Sequence, residues 1–420
     1  MIKALCISAT ASNQGKTILT TALLYHYKKS VRPFKIGPDF IDPKFHEKIS
    51  KTPSINLDTN ICKQEGVQWL FSQYSNKEFS ILEGVMGFYD GMDKNSSAYD
   101  VTKLLNVPTV LILDASGSYI TLSAIIKGLK EYKKENTINA VVFNHISSQG
   151  HYELIKKQVE KDFDDVACLG FIQKDLESLS STHLGLDLKD CNEEKIEQLS
   201  KEVLKNIDLQ KLEEISEYKK QEINYPFEKV EKQDKHIAVV YDDNFSFLYH
   251  DNLEFLKEHF SKVSIVSSVN DEIIPNDANS VFICGGYIET KEAYDKYKNS
   301  KNFQSSLKEH SKTKKVYGEC AGLIVLGEVC DDKKMLGLLP LEFTLNKRFV
   351  RMGYYDNDLG ITGHAFHYTS VKSDIKGEYT LYKKKGEYEK DAAFKKENVF
   401  GTYLHTMFRA NFKKIEDYLL

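Results

Sequence analysis

Short apolar runs alternate with longer amphipathic stretches from the start of the chain, and this alternation constrains the fold more than any other feature. Apolar runs of strand length followed by helix-length amphipathic segments are typical of βαβ units. The predicted strands are 2–8, 31–36, 79–82, 108–113, 139–143 and 167–171. The predicted helices are 15–29, 64–74, 97–105, 119–133 and 151–162. We therefore expect an α/β domain with a parallel sheet covered by helices on both faces.

A second α/β rhythm begins at Ile237, after a segment dominated by Lys and Glu. Its predicted strands are the run from 237 and residues 263–267, 280–284 and 313–317, followed by antiparallel strands at 361–371 and 378–382. A chain of 420 residues is too long for one ordinary core. We expect a first domain at 1–207 that ends in a helix near 193–206, a linker at 208–235 and a second domain at 236–420.

Composition indicates which partners the protein can be expected to bind and in which cellular compartment it works. The formal net charge is −4 and no long basic block occurs, so nucleic acid is not expected as a partner. No run approaches the roughly 20 apolar residues of a membrane span, and the N-terminus lacks the shape of a signal peptide, so no membrane partner is expected. The seven cysteines are odd in number and form no C-x-x-C pair, which favours reduced thiols in the cytoplasm over disulfides or structural zinc.

The first motif is the stretch SATASNQGKT at 8–17, between the first predicted strand and the first predicted helix. Its end fits G-x-x-x-x-G-K-[ST], although Thr10 replaces the leading glycine. Backbone N–H groups and a helix N-terminus would hold phosphate there, Lys16 would reach the outer phosphates and Thr17 would bind Mg²⁺. The candidate ATP-binding residues are Thr10, Asn13, Gln14, Gly15, Lys16 and Thr17. The alternative is a helix start that contains GKT by chance, and Ala11 counts against a partition-type ATPase, which has a lysine at that position.

Acidic residues near the predicted ends of neighbouring strands complete a first candidate site. Glu83 follows the strand 79–82, where a carboxylate is well placed to bind Mg²⁺ beside the phosphate loop. The glycines of EGVMGFYDG indicate close approach of the backbone to a ligand. A Gly-Pro turn after the second strand carries further carboxylates, either as solvated groups of a stiff loop or as substrate or metal contacts. The candidate metal ligands are Thr17, Glu83 and Asp42, and the candidate substrate-binding residues are Lys35, Asp39, Asp42, Tyr89 and Asp90.

The second motif, YGECAGL at 317–323, predicts a strand, a tight turn and a helix with Cys320 at the turn. This is the nucleophile-elbow arrangement, and we expect the helix N-terminus to lower the pKa of the thiol. The N–H of Ala321 and the turn at Gly286 are the candidate oxyanion donors. His405 is the candidate base, because cysteine–histidine pairs can be distant in sequence and adjacent in space. The alternatives are a buried thiol at an ordinary turn and a structural histidine.

Taken together, these motifs resemble those of the cobyrinic acid a,c-diamide synthases. The stretches that carry the resemblance after the phosphate loop are, in order, KIGPDFIDPKFH, EGVMGFYDG, STHLGL, YDDNFSFLYHDNLEFL, ICGGYIE, YGECAGL, GHAFHY and GTYLHTMF. The resemblance spans nearly the whole chain. It implies a dethiobiotin-synthetase-like P-loop domain followed by a class I glutamine amidotransferase-like α/β domain. It also implies ATP- and glutamine-dependent amidation of carboxylates on a corrin ring in cobalamin synthesis.

The chain departs from the family pattern at several positions. Thr182 stands where the family usually has arginine, Ala365 changes GHEFH to GHAFH, and the elbow reads CAG rather than CGG. Met407 lies two residues beyond the histidine, where related amidotransferases often carry a glutamate, so we predict a Cys320–His405 pair oriented by some other group. The resemblance implies a corrin tetrapyrrole, ATP and glutamine as partners, and it allows for a homodimer. A nickel-sirohydrochlorin a,c-diamide synthase and a P-loop nucleotide switch with an inactive amidotransferase-like module are the alternatives.

Overall fold

The computed structural model describes residues 2–176, 192–383, 386–387 and 390–420. The chain divides into two compact units, Met1–Pro226 and Phe227–Leu420, each with its own main sheet and core. The STHLGL motif, including Thr182, lies outside the described residues. In the described part of the chain, no helix is both long and apolar enough to cross a lipid bilayer.

The main sheet of the first unit is formed by the apolar runs of the sequence. Its strands are β1 (Ile2–Ala9), β2 (Val31–Ile36), β3 (Ile55–Leu57), β4 (Phe79–Glu83), β5 (Thr109–Asp114), β6 (Ile138–Ile146), β7 (Ala167–Gln173) and the short β8 (Glu217–Tyr218). The order is β3-β2-β4-β1-β5-β6-β7, with parallel neighbours throughout this path, and β8 pairs antiparallel with the start of β1. Strands β2 and β4 are buried at every residue, which is expected where helices cover both faces of a sheet. The predicted parallel α/β sheet is confirmed.

The helices of the first unit connect these strands. They are α1 (Lys16–His26), α2 (Ile41–Ser50), α3 (Thr59–Tyr74), α4 (Ala98–Leu105), α5 (Thr121–Tyr132), α6 (Gln149–Asp162), α7 (Glu193–Leu204) and α8 (Leu209–Ile215), with a 3₁₀ turn at Met92–Lys94. Side-chain caps fix where several of them begin. The Asp58 carboxylate accepts the N–H groups of Asn60 and Ile61 at the start of α3, and Ser97 and Asp100 form a reciprocal capping box at α4.

The first unit contains elements that were not predicted from the sequence, among them the short edge strand β3. Helix α2 begins within the stretch 35–46, for which a Gly-Pro turn and no helix was predicted. Helix α8 and strand β8 lie within the predicted linker 208–235, and β8 pairs with β1 of the first sheet. The boundary between the two compact units lies after Pro226. The Lys- and Glu-rich composition concealed these elements, since only Leu212 of α8 is buried.

The second unit has a main sheet and two smaller ones. Its strands are β9 (Gln233–Val240), β10 (Phe260–Val266), β11 (Ser280–Ile283), β12 (Lys315–Glu319), β13 (Val329–Cys330), β14 (Lys333–Lys334), β15 (Leu341–Leu345), β16 (Arg351–Asn357), β17 (Thr362–His367), β18 (Thr369–Ser373), β19 (Leu381–Lys383), β20 (Gly386–Glu387), β21 (Ala393–Lys396) and β22 (Val399–Thr402). The main order is β10-β9-β11-β12-β22-β21, parallel except for the edge strand β21. The smaller sheets run β14-β13-β15-β18 and β17-β16-β19-β20.

The helices of the second unit pack against the main sheet and bury its core. They are α9 (His250–His259), α10 (Lys291–Tyr297), α11 (Lys301–Ser311), α12 (Ala321–Leu326) and α13 (Phe408–Leu419). The predicted antiparallel run 361–371 is two strands, β17 and β18, which belong to different small sheets. Because parallel strands end at one edge of a sheet, the carboxyl ends of β11, β12 and β22 bring distant segments together there.

Candidate active site

The phosphate loop leaves β1 and turns into helix α1 at Gly15. This residue has a φ of +102°, and a side chain on it would place its Cβ 2.6 Å from Nδ2 of Asn144. The same Asn144 nitrogen donates to the carbonyl of Gln14 at 3.0 Å, which fixes the loop against the end of β6. Only glycine satisfies both the left-handed conformation and the close approach. The predicted strand–loop–helix arrangement is confirmed, while the ATP contacts of Thr10, Asn13 and the other loop residues stay a prediction.

The Lys16 side chain folds back over this loop. Its Nζ donates to the carbonyl of Ala11 at 2.8 Å and to that of Met86 at 2.6 Å. Burial, and then the charge of Lys35, lower the pKa of Lys16. An anionic group that replaced the two carbonyls would therefore gain a poorly solvated cation as its partner. The lysine stands where phosphate would be held, at the beginning of α1.

Thr17, in the first turn of helix α1, contacts Glu83 at the carboxyl end of strand β4. The Thr17 hydroxyl donates to Oε1 of Glu83 at 2.9 Å, and the second carboxylate oxygen lies 2.8 Å from Nε2 of His46. Burial by itself would raise the pKa of Glu83, but the Lys35 charge and the hydrogen bonds from His46 and Thr17 hold it well below its usual range. His46 lies on α2 and is fully buried, and it was not among the site residues predicted from the sequence. Its appearance in KIGPDFIDPKFH was the available signal.

The oxygen atoms of Thr17 and Glu83 fit a Mg²⁺ ion. Both are hard donors, and the carboxylate is ionised. In the described residues, no cluster of three or more His, Cys, Asp or Glu side chains is arranged to hold a metal ion. A Mg²⁺ ion bound here would complete its coordination with phosphate oxygens and water, as it does in phosphoryl-transfer sites. The site thus suits a metal that arrives with a nucleotide.

The side chain of Lys35 lies close to three carboxylates. Its buried ammonium contacts the Asp42 carboxylate and lies 3.5 Å from Glu83 and 3.9 Å from Asp39. Burial alone would lower the pKa of Lys35, but these three carboxylates raise it. Burial and the Asp42 charge raise the pKa of Asp39 to about 6. Because Asp42 already has a lysine partner, its predicted metal-binding role gains no support from the geometry and stays a prediction.

The remaining candidates of the first unit have local partners. The Tyr89 hydroxyl donates to the carbonyl of Leu129 on α5 at 2.6 Å, and its ring packs on Tyr99. A tyrosine so engaged serves packing in this state, and a substrate contact for its hydroxyl stays a prediction. The exposed Asp90 accepts the N–H of Gly87 at 2.8 Å, so its carboxylate shapes the loop after β4.

Cys320 lies on a strained turn between β12 and α12. Its φ of 50° and ψ of −101° are unusual for a residue with a side chain, and it is buried. Helix α12 packs so closely on β11 that a Cβ on Gly322 would lie 2.4 Å from the carbonyl oxygen of Ile283. The predicted strand–turn–helix elbow is therefore confirmed.

The expectation of a lowered thiol pKa for Cys320 is wrong. Burial raises the pKa of Cys320, the negative charges of Glu289 and Glu319 raise it further, and only the N–H of Ala321 acts in the opposite direction. Burial likewise raises the pKa of Glu289 to about 7. A helix of six residues offers too small a dipole to overcome desolvation. The thiol therefore needs a base.

The His405 side chain contacts Glu319, the residue directly before Cys320. Its Nδ1 lies 3.2 Å from Oε2 of Glu319, and both side chains are buried. Strands β12 and β22 align Glu319 with Thr402, and the N–H of Cys320 donates to the Thr402 carbonyl at 2.7 Å. An orienting group other than Met407 was predicted for this pair, but Glu319 was not identified from the sequence. Gly286 lies in the turn after β11 at the same sheet edge, and its oxyanion role stays a prediction.

Two regions of the chain match known domain families. Residues 5–186 match the family described as the CobQ/CobB/MinD/ParA nucleotide binding domain. Residues 236–412 match the family described as the CobB/CobQ-like glutamine amidotransferase domain. The two matches occur in the order that the motifs indicated, which confirms a P-loop domain followed by an amidotransferase-like α/β domain.

Curated relatives match most of the chain. The cobyrinate a,c-diamide synthase of Fusobacterium nucleatum subsp. nucleatum is 34% identical over an alignment of 449 positions that covers 99% of this chain and 100% of that protein. The cobyrinate a,c-diamide synthase of Methanococcus maripaludis strain C5 is 33% identical over an alignment of 402 positions that covers 88% of each chain. Among solved structures, a glutamine amidotransferase from Thermotoga maritima covers 44% of this chain and 83% of its own at 15% identity, and its TM-score of 0.32 is too low to carry an argument.

Proposed function

The chain belongs to the cobyrinate a,c-diamide synthase family, and from this premise we propose that its two units divide one amidation between a glutamine-hydrolysing site and a phosphoryl-transfer site. The protein is a glutamine-dependent amidating ligase of cobalamin biosynthesis. One observation carries the division of labour. A phosphate loop with the Thr17–Glu83 pair lies in the first unit, and a cysteine elbow with a buried histidine lies in the second.

The second unit performs the hydrolysis of glutamine. His405 takes the thiol proton of Cys320, and the sulfur attacks the amide carbon. The N–H of Ala321 and the turn at Gly286 stabilise the resulting oxyanion. Collapse of this intermediate breaks the C–N bond, the proton passes from His405 to the departing nitrogen, and ammonia leaves a glutamyl thioester. Water hydrolyses the thioester to glutamate and restores the thiol.

The first unit activates the carboxylate that is to be amidated. A carboxylate oxygen attacks the γ-phosphorus of ATP, which yields an acyl phosphate and ADP. Ammonia then attacks the acyl carbon, and inorganic phosphate leaves. Lys16 and the N–H groups at the start of α1 stabilise the phosphate charge. Thr17 and Glu83 would hold Mg²⁺, which when bound neutralises charge on the phosphates.

The substrates follow from this chemistry and from the family. We expect ATP, glutamine and the a- and c-carboxylates of cobyrinate as the small-molecule substrates, with the reaction taking place in the cytoplasm. Free ammonia is mostly protonated at pH 7, so coupling both steps within one chain keeps the nucleophile neutral. A homodimer is compatible with the reaction, which has every proposed group in one chain.

The test is an amidation assay with purified protein, Mg²⁺, ATP, glutamine and either cobyrinate or nickel-sirohydrochlorin. We expect two amide groups to be added to cobyrinate, detected by mass spectrometry, with ADP and glutamate formed in step. Amidation of the nickel tetrapyrrole alone would move the chain to that branch of enzymes. A folded protein that binds ATP but hydrolyses no glutamine would instead support the nucleotide-switch alternative.

A further inference from the structure

We propose that Glu319 is the positioning residue of the glutamine site, holding His405 in the tautomer and orientation that accept the proton of the adjacent Cys320. This inference rests on the proposed function and adds a member to its second site. Glu319 acts through the imidazole and does not touch the glutamine that reacts. The base and the nucleophile would thus be coupled by two consecutive residues of the chain.

The surroundings of Glu319 are those of an ionised carboxylate. Oε2 lies 3.2 Å from Nδ1 of His405, Oε1 accepts the Tyr317 hydroxyl at 3.2 Å, and the main-chain N–H of Thr406 also points to the carboxylate. An ionised carboxylate is an acceptor only, and donors on three sides suit that form. Burial raises the pKa of Glu319 above its usual value, and these three contacts act in the opposite direction, in favour of the ionised form.

The contact of Nδ1 with Glu319 leaves Nε2 of His405 available to act as the base. With Nδ1 donating to Glu319, Nε2 is the lone-pair nitrogen. This edge of the ring faces the turn after β11, because a Cβ on Gly285 would lie 2.3 Å from Cε1 and 3.2 Å from Nε2 of His405. That turn carries the predicted oxyanion donor, so Nε2 points toward the space where the glutamine amide would bind. Glu319 would also balance the imidazolium that forms when the thiol proton is transferred.

The register of the paired strands β12 and β22 explains why Glu319 reaches His405. Glu319 ends β12 and Thr402 ends β22, and the two residues are paired in the parallel register. The segment after Thr402 then returns over the end of β12, where the main chains of His405 and His364 are hydrogen-bonded in both directions at 2.8 Å. The position that often bears glutamate in related amidotransferases is Met407, which is buried and carries no negative charge to balance an imidazolium.

The other titratable groups around the pair do not replace this carboxylate. Burial, and then the nearby His405, lower the pKa of His364 to about 3, so it is a neutral neighbour. Burial raises the pKa of Tyr317, which remains a neutral donor to Glu319. Glu289 acts electrostatically on Cys320, and its pKa of about 7 leaves it partly protonated at neutral pH.

The central experiment compares Glu319→Gln with the control Glu328→Gln, an exposed glutamate just beyond α12. Glutamine keeps the size of the side chain and removes its charge. We expect kcat for glutamine hydrolysis to fall at least ~10-fold, because an unbalanced imidazolium and a mixed tautomer both slow proton transfer. The KM for glutamine and the amidation rate with ammonium should stay within ~2-fold of wild type. The acidic limb of the hydrolysis pH profile should move to lower pH, and the control should leave all four readouts unchanged.

A second variant separates charge from packing. Tyr317→Phe removes one hydrogen bond to Glu319 and keeps the carboxylate, so we expect a loss below ~3-fold. If Glu319→Gln does not fold, Glu319→Asp keeps the charge and withdraws it from the ring, and kcat should again fall at unchanged KM. A Glu319 variant that folds and keeps the wild-type kcat would overturn the inference. Equal losses of activity with glutamine and with ammonium as nitrogen donor would overturn it as well. Absence of glutamine hydrolysis in the wild-type protein would instead refute the proposed function itself.

Discussion

At the scale of single residues, the thiol of Cys320 shows how burial and catalysis compete. A buried thiol flanked by acidic groups resists ionisation, yet the elbow presents it at the end of β12 beside a segment that carries a histidine. Such a thiol is inert until a base removes its proton in the same step as attack. Burial and a raised pKa thereby disfavour reaction of the free thiol with alkylating and oxidising agents.

We expect Cys320→Ser to abolish glutamine-dependent amidation and to retain amidation with ammonium at elevated pH. A serine hydroxyl is a much weaker nucleophile here, so glutamine hydrolysis should fall at least ~10²-fold. Steady-state amidation with each nitrogen donor measures both effects. The matched control is Cys168→Ser on β7 of the first unit, which should hydrolyse glutamine normally. Equal loss with both donors would contradict a two-site enzyme.

Glu289 makes a pH-dependent contribution to stability. Its pKa rises from 4.5 to about 7 on folding because burial disfavours the charged form. The unfolded chain therefore ionises first, and the folded protein loses stability as the pH rises from the lower value to the higher. Glu289→Gln removes this cost and should stabilise the second unit at pH 8 by ~1–3 kcal/mol, since one pKa unit corresponds to ~1.4 kcal/mol. The advantage should vanish at pH 4, and thermal melts at both pH values measure it; an equal gain at each would exclude the titration.

At the scale of elements, periodicity located six strands of the first sheet and missed the short β3 and β8, and proline concealed one helix. The predicted and observed limits of β1, β2, β4 and β5 agree within a residue at either end. Helix α2 was missed because Gly37, Pro38 and Pro43 suggest a turn. Pro43 falls in the first turn of the helix, where its missing N–H costs nothing. The local pattern does not distinguish a stiff loop from a helix that begins with proline.

The segment that leaves β2 and enters the first turn of α2 yields a prediction about turnover. Asp39 accepts the N–H of Ile41, while Asp42 pairs with Lys35, so both carboxylates are held in place beside Glu83. A carboxylate near an anionic substrate would repel it unless it is paired, binds a metal or accepts a proton from ammonia. We expect Asp39→Asn and Asp42→Asn to lower kcat for amidation at least ~10-fold and to leave the affinity for ATP unchanged.

Steady-state amidation and separate ATP titrations test this expectation. Asp165→Asn, an exposed aspartate whose side chain is 62% accessible, is the matched control. Wild-type turnover in both the Asp39 and the Asp42 variant would reduce this segment to a scaffold, with Glu83 left as the acidic residue of the site.

At the scale of the whole molecule, the sequence predicted the motifs that are contiguous and missed the contacts that join distant segments. The phosphate loop and the Cys320 elbow are each read from ten residues or fewer. The His46–Glu83 and Glu319–His405 contacts depend on which strands are neighbours, at separations of 37 and 86 residues. Strand order is set by packing of the complete sheet, and a single sequence does not display it.

The independence of the two units can be tested through Lys16. Lys16→Ala should abolish ATP-dependent amidation with either nitrogen donor, because a charge that stabilises the transferring phosphoryl group is lost. Basal glutamine hydrolysis should persist at a third or more of the wild-type rate, measured as glutamate release. Lys127→Ala, an exposed lysine on α5, is the control. Loss of glutamine hydrolysis in folded Lys16→Ala protein would show obligatory coupling of the sites.

The close packing around the elbow affects how mutational tolerance of this protein should be interpreted. Gly322 lies against the carbonyl of Ile283, and Gly285 lies against the His405 ring, so neither position has room for a methyl group. In a saturation screen scored on glutamine-dependent growth, both glycines would tolerate substitution as poorly as Cys320. Poor tolerance of substitutions in this region therefore reflects lack of space as readily as loss of a reacting group. Rescue of growth with ammonium would not distinguish these two causes. Separating them requires substitutions that conserve shape while removing a charge or a nucleophile.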